Sequence, residues 1–216
     1  MSTTSVTSES AGTHAVNESA SRANGWLTLS RAFAQPRLWH ENLETDLCAG
    51  FGGAGDDEAS ALADAIAAAR TDRESAELAH ARLFLGPYDL LVPPYASFYL
   101  DADQRVMGPV STDVAQWYTD AGLGPGAGPR EAPDHVTCEC EFMYFLGFQG
   151  CTTGDEAWDA RQRDFWSGHL GHWLPQLLEL LEKQTAIHPV YDALSRFADA
   201  FTQAEQQRLQ PAPESP

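Results

Sequence analysis

The chain has 216 residues, 43% of them hydrophobic, with six Trp, six Tyr and ten Phe, which is enough to bury one sizeable core without disulfides. Thirteen basic residues stand against 31 acidic ones, a formal charge of −18. That field repels nucleic-acid phosphate and anionic lipid, so neither is an expected partner, whereas a cationic peptide is attracted.

Residues 1–24 carry neither a basic start nor an apolar run and read as a disordered tail. Trp39, Leu43 and Leu47 then fall at i, i+4 and i+8, predicting a helix that begins near Pro36. Residues 50–55 break it. Residues 56–70 predict an alanine-rich helix with a stripe of Leu62, Ala65, Ile66 and Ala69, and residues 74–85 a second good helix former.

Residues 86–109 interrupt the pattern. Pro87, Pro93, Pro94 and Pro109 forbid one continuous helix, yet Tyr88, Tyr95, Phe98 and Tyr99 crowd the segment. A long aromatic loop inside a helical domain points to function. Residues 122–133, GLGPGAGPREAP, read as a flexible connector.

Residues 134–148 predict a helix apolar nearly all round and therefore central, with Asp134 as its N-cap. His135 and Glu139 lie four apart on one side, so His135 or a loop backbone is the expected partner of that acid. Glu141 projects about 160° from Glu139, which rules out a carboxylate pair on one face. Residues 155–183 continue with a stripe of Trp166, Leu170, Trp173, Leu177 and Leu181, with a kink or break expected at Pro175. The last helix follows Pro189, its inner face bearing Val190, Leu194, Phe197 and Phe201. Residues 208–216 read as a second disordered tail, leaving 25–207 as a single all-helical domain.

Little of this carries catalytic chemistry. Nucleotide loops, nucleophile elbows and zinc-protease motifs are missing from the sequence. Cys138 and Cys140 diverge by about 200° on a helix, which argues against a shared ion, and His169 with His172 are three apart on another helix. Four cysteines do not form a secreted disulfide pattern, and no apolar run approaches the ~18 residues of a membrane span. The expected location is the cytoplasm.

Three segments taken in series carry a resemblance: LFLGPYDLLVPPYASFYLD (83–101), PDHVTCECEFMYFL (133–146), and FWSGHLGHWLPQLLELLEKQTAIHPVYDALSRFADAF (165–201). In this order, and near this spacing, they resemble the TorD/DmsD/NarJ redox-enzyme maturation chaperones over roughly residues 82–201. The resemblance implies a single all-α bundle of the TorD-like type with a long Pro/Tyr-rich loop, and a chaperone rather than an enzyme. Its implied partners are the apo catalytic subunit of a molybdoenzyme and that subunit's twin-arginine signal peptide. No cofactor is expected, and a homodimer by helix exchange through 122–133 stays open. The implied peptide-binding residues are Gly86, Pro87, Pro94, Tyr95, Ser97, Tyr99, Asp134 and His135, with Glu139 and Glu141 as supporting acids. Cys138 and Cys140 stand where the family has aliphatic residues. Two alternatives remain beside it: a metal- or thiol-dependent helical enzyme using His135, Cys138 and Cys140, or a plain acidic adaptor.

Overall fold

The computed structural model describes residues 6–51, 55–86, 90–124 and 131–210, with side chains in the first helix from residue 18 onward. Helices follow one another throughout: α1 Val6–Phe33, α2 Leu43–Cys48, α3 Asp56–Thr71, α4 Arg73–His80, α5 Ala96–Leu100, α6 Pro109–Asp120, α7 Val136–Thr153, α8 Glu156–Phe165, α9 Gly171–Glu182 and α10 Pro189–Leu209. Among the described residues the sole β pairing is one antiparallel bridge, Tyr95 with His135. None of these helices is long and apolar enough to cross a membrane. The fold is all-α, as the periodicity predicts.

The central apolar helix α7 is covered by α1, its most extensive neighbour, and by α8, while α10 packs on α3 and α9. Trp26, Trp173, Tyr191, Phe165, Phe197 and Phe201 are the largest wholly buried side chains, each contributing roughly 1.5–3 kcal/mol by leaving water. At Gly25 a methyl group would overlap the Phe201 ring, so only glycine lets α1 approach α10 this closely. Beside that contact, Glu205 on α10 is buried and accepts from Trp26 Nε1 at 3.0 Å and from Arg208 Nη2 at 2.9 Å.

Several expectations need correction. Helix begins at Val6, inside the stretch 1–24 read as a tail, and Ala23 lies in the core. The reason is packing: small Ala23 sits against Gly147 of α7, which a composition-based reading of a polar tail overlooks. At the other end α10 runs to Leu209, and residues 211–216 lie outside the described residues. Trp39, Leu43 and Leu47 are all buried but do not share a helix, because Pro36–Leu38 forms a 3₁₀ turn and α2 starts afresh at Leu43.

The chain from 155 to 183 breaks one turn before Pro175. Residues Trp166–Leu170 form a π turn, and α9 restarts at Gly171, the residue whose carbonyl Pro175 cannot serve with an N–H. A second π turn, Ala81–Leu85, ends the helix predicted over 74–85. The aromatic loop holds a short helix of its own, α5, and most of the connector (125–130) lies outside the described residues.

Candidate functional site

Segments 83–101 and 133–146 meet at the Tyr95–His135 bridge. Val136 N donates to Pro94 O at 2.8 Å and Ala96 N donates to Asp134 O at 2.9 Å. Asp134 is wholly buried and closes the same junction with its side chain, accepting from Ser97 N at 3.0 Å and from Ser111 Oγ at 2.5 Å. Ser111 Oγ in turn accepts from Met107 N at 3.0 Å, and Tyr118 Oη donates to Pro133 O at 2.7 Å. One carboxylate thus ties the aromatic loop, α6 and the entry to α7 together.

That arrangement overturns the cap assignment. The N-cap of α7 is His135, whose Nδ1 accepts from Thr137 N at 3.2 Å and faces Thr137 Oγ1 at 2.8 Å. With Nδ1 accepting, the ring proton sits on Nε2. Burial lowers the His135 pKa, and the charges of Glu131 and Asp134 oppose that only in part. The Tyr95 and His135 rings meet edge to face with centroids 5.0 Å apart, and Tyr95 Oη donates to Glu131 Oε2 at 3.4 Å. Burial, then the charge of Glu131, pushes the phenol up to about 12, which keeps it a donor at neutral pH. Replacing His135 with alanine is expected to cost about 1 kcal/mol, the usual worth of an N-cap, read as a shift in the urea midpoint.

Beside this junction lies a groove of ≈ 250 Å³. Pro94, His135, Val136 and Thr137 form part of its lining, with Glu131 and Glu141 adding carboxylates. The end of α1 contributes Phe33 and Arg31, the latter paired with Asp46 at 2.7 Å. The 3₁₀ turn adds Leu38, and the chain around the π turn Ala81–Leu85 adds His80, Phe84 and Leu85. His80 contacts Tyr191 Oη through Nδ1 at 3.2 Å, and burial holds its pKa down at about 4, so it is neutral.

Of the residues singled out in the sequence, the groove brings together Pro94, His135 and Glu141, with Tyr95 bordering His135. Gly86 directly follows the groove residue Leu85, and Pro87 lies outside the described residues. The others are internal. Ser97 is wholly buried, and its Oγ meets no hydrogen-bond partner among the described residues. Tyr99 stacks on Trp173 at 5.6 Å and donates to Pro93 O at 2.9 Å, so its ring is no open docking face. Asp134 is a clamp, not a surface acid.

Glu139 is a further correction. It is fully buried, and its partner is not His135 but His169 Nε2 at 2.8 Å, with Trp173 Nε1 at 2.9 Å on the other oxygen. This occupies His169 away from any ion. Among the described residues no group of three His, Cys, Asp or Glu is placed to hold a metal. Burial, then the charge of Glu141, raises the Cys138 thiol to about 11, which makes it a poor nucleophile.

Sequence reasoning missed Glu131, Leu38, Phe84 and Leu85. Glu131 fell in the connector, and the other three sit at helix ends whose turns were not anticipated.

The all-helical fold is similar to that of a solved structure, a candidate redox enzyme maturation protein from Archaeoglobus fulgidus. That structure superposes with a TM-score of 0.52 at 22% identity, covering 85% of this chain and 93% of the other, and so supports the fold alone. The profile of the nitrate reductase delta subunit family matches residues 52–179, more than half of the chain, and the protein belongs to that family. Among curated relatives, the Tat proofreading chaperone DmsD of Salmonella typhi is 30% identical over 142 residues, 65% of this chain and 66% of that protein. The perchlorate reductase assembly chaperone protein of Dechloromonas aromatica is 30% identical over 129 residues, 55% of this chain and 58% of its own. The match thus spans about two thirds or less of each curated relative's length.

Proposed function

We propose that the protein is a cytoplasmic, non-catalytic chaperone that binds the signal peptide, the apo form, or both, of a molybdenum-containing oxidoreductase subunit. It would assist cofactor insertion and proofreading before export or assembly. The observation that carries this reading is the groove at the Tyr95–His135 bridge. Segments 83–101 and 133–146, two of the three that bear the family resemblance, line part of it, the end of α1 and the turn after it line the rest, and it pairs carboxylates with apolar side chains. A twin-arginine leader offers the complement, a basic pair followed by an apolar stretch. Arginine pairs bidentately with carboxylates, and a chain of formal charge −18 speeds a cation's approach. The names of the relatives, proofreading and assembly chaperones, point the same way.

Calorimetric titration with leader peptides of molybdoenzymes tests it. Binding near micromolar, about −8 kcal/mol, is expected for a cognate leader, weakening at least about tenfold when both arginines become alanine. No binding to any such leader or apo-subunit overturns the reading. A homodimer formed by exchange through the 122–133 connector belongs to the same proposal, and light scattering reads it directly.

A further inference from the structure

The groove's carboxylates and its apolar side chains come from different parts of the chain. Glu131 and Glu141 belong to the connector and α7, within or beside the motif that carries the resemblance. Leu38 and Leu85 belong to the 3₁₀ turn after α1 and to the π turn before the aromatic loop. Both leucines are unusually open, at 64% and 52% exposure, while their groove neighbours Phe33 and Phe84 are buried at 2% and 3%. A single exposed leucine needs no explanation. Two on separate irregular turns, both lining one groove over a phenylalanine-backed wall, mark an apolar surface kept for a partner.

We infer that Leu38 and Leu85 form an apolar shelf that takes the hydrophobic stretch of a bound leader, and that this shelf, separately from the acids, selects for it. The inference rests on the peptide-binding reading above. Charge complementarity places the occupant: Glu131 and Glu141 favour the leader's cationic residues, which leaves the shelf to the uncharged stretch that follows them. The exposed positions of both leucines mean that serine there removes contact area without opening a core cavity. The 3₁₀ turn is closed by backbone, Leu38 N donating to Gln35 O at 2.7 Å, without the leucine side chain.

The test uses the full chain, its Leu38→Ser/Leu85→Ser and Glu131→Gln/Glu141→Gln variants, and two peptides. One is a twin-arginine leader, and the other keeps its arginines but carries serines in the apolar stretch. Wild type is expected to prefer the first peptide by about tenfold or more. In the leucine variant that preference should collapse to within about twofold, while the salt dependence of binding stays as in wild type. In the glutamine variant the preference should persist and the salt dependence should fall. Wild-type binding with an undiminished preference in the leucine variant overturns the shelf and leaves the chaperone reading standing. Equal weakening toward both peptides also overturns it, because the leucines would then not be reading the apolar stretch. If wild type binds neither peptide nor any other leader, both inferences fall together.

Discussion

Replacing Asp134 with alanine is expected to remove about 3–5 kcal/mol of stability, read as a lower urea midpoint at unchanged slope. The carboxylate is wholly buried and accepts from Ser97 N and Ser111 Oγ, themselves at 0% and 3% exposure. Truncation strands both donors, at roughly 1–3 kcal/mol each, and forfeits charge-assisted bonds. A domain of this size rests on about 5–15 kcal/mol, so the loss is a large fraction of the total. Asp134→Asn separates structure from recognition. Its carbonyl oxygen can still accept from Ser97 N, and its amide can face Ser111 Oγ, so a cost nearer 1 kcal/mol is expected. If Asp134 paired with a leader arginine, the asparagine variant would lose affinity heavily. As a buried clamp, it should bind a leader within about threefold of wild type, a difference under 1 kcal/mol. A folded asparagine variant with no measurable affinity would contradict the clamp.

The clamp also shows where the sequence is readable and where it is not. Pro133 and Asp134 before an apolar run signal a helix start, and the start is there, displaced by a single residue. What the local pattern lacks is the pull of Ser111, 23 residues upstream, and Ser97, 37 upstream, which draws the better capping residue inward and leaves His135 to cap. Glu139 repeats the lesson. A histidine four residues away is the local candidate, yet the actual partner is His169, 30 residues on, brought round by α8 and a π turn. Stripes such as Leu62–Ile66–Ala69 are legible because one helix face reports its own burial. The first helix was not, since its polar and alanine-rich composition lacks large apolar residues ahead of Trp26. Leu38 and Leu85 escaped for a different reason: they fall at the ends of predicted helices, and only the irregular turns place them at a groove.

Glu139→Gln is expected to reshape how stability depends on pH. Burial pushes the Glu139 pKa up from 4.5 to about 7, an effect that the His169 and Trp173 bonds only partly offset. Between those values the folded protein holds a proton that the unfolded chain has released. The group's contribution is therefore fully present below pH 4.5 and lost as pH rises through about 7, amounting to about 3 kcal/mol. His80 works in the other direction. Burial, with His135 and Arg37 nearby, lowers it from 6.5 to about 4, so its contribution is present above pH 6.5 and lost as pH falls through about 4. Between pH 4.5 and 6.5 the two slopes oppose each other, and on their account the wild-type profile is nearly flat. Glutamine cannot titrate, so the variant keeps the His80 slope without the opposing one and gains from it about 1 kcal/mol of stability per pH unit across that interval. Urea midpoints at half-unit pH steps read the difference, and superimposable profiles for the two proteins would refute it. Glu139→Ala gives the larger loss, about 3–5 kcal/mol, because it strands the donors of His169 and Trp173 and opens a cavity beside α9. The glutamine variant should lose only about 1 kcal/mol at its most stable pH, because its carbonyl oxygen still accepts from Trp173 and its amide can face His169 in the other tautomer.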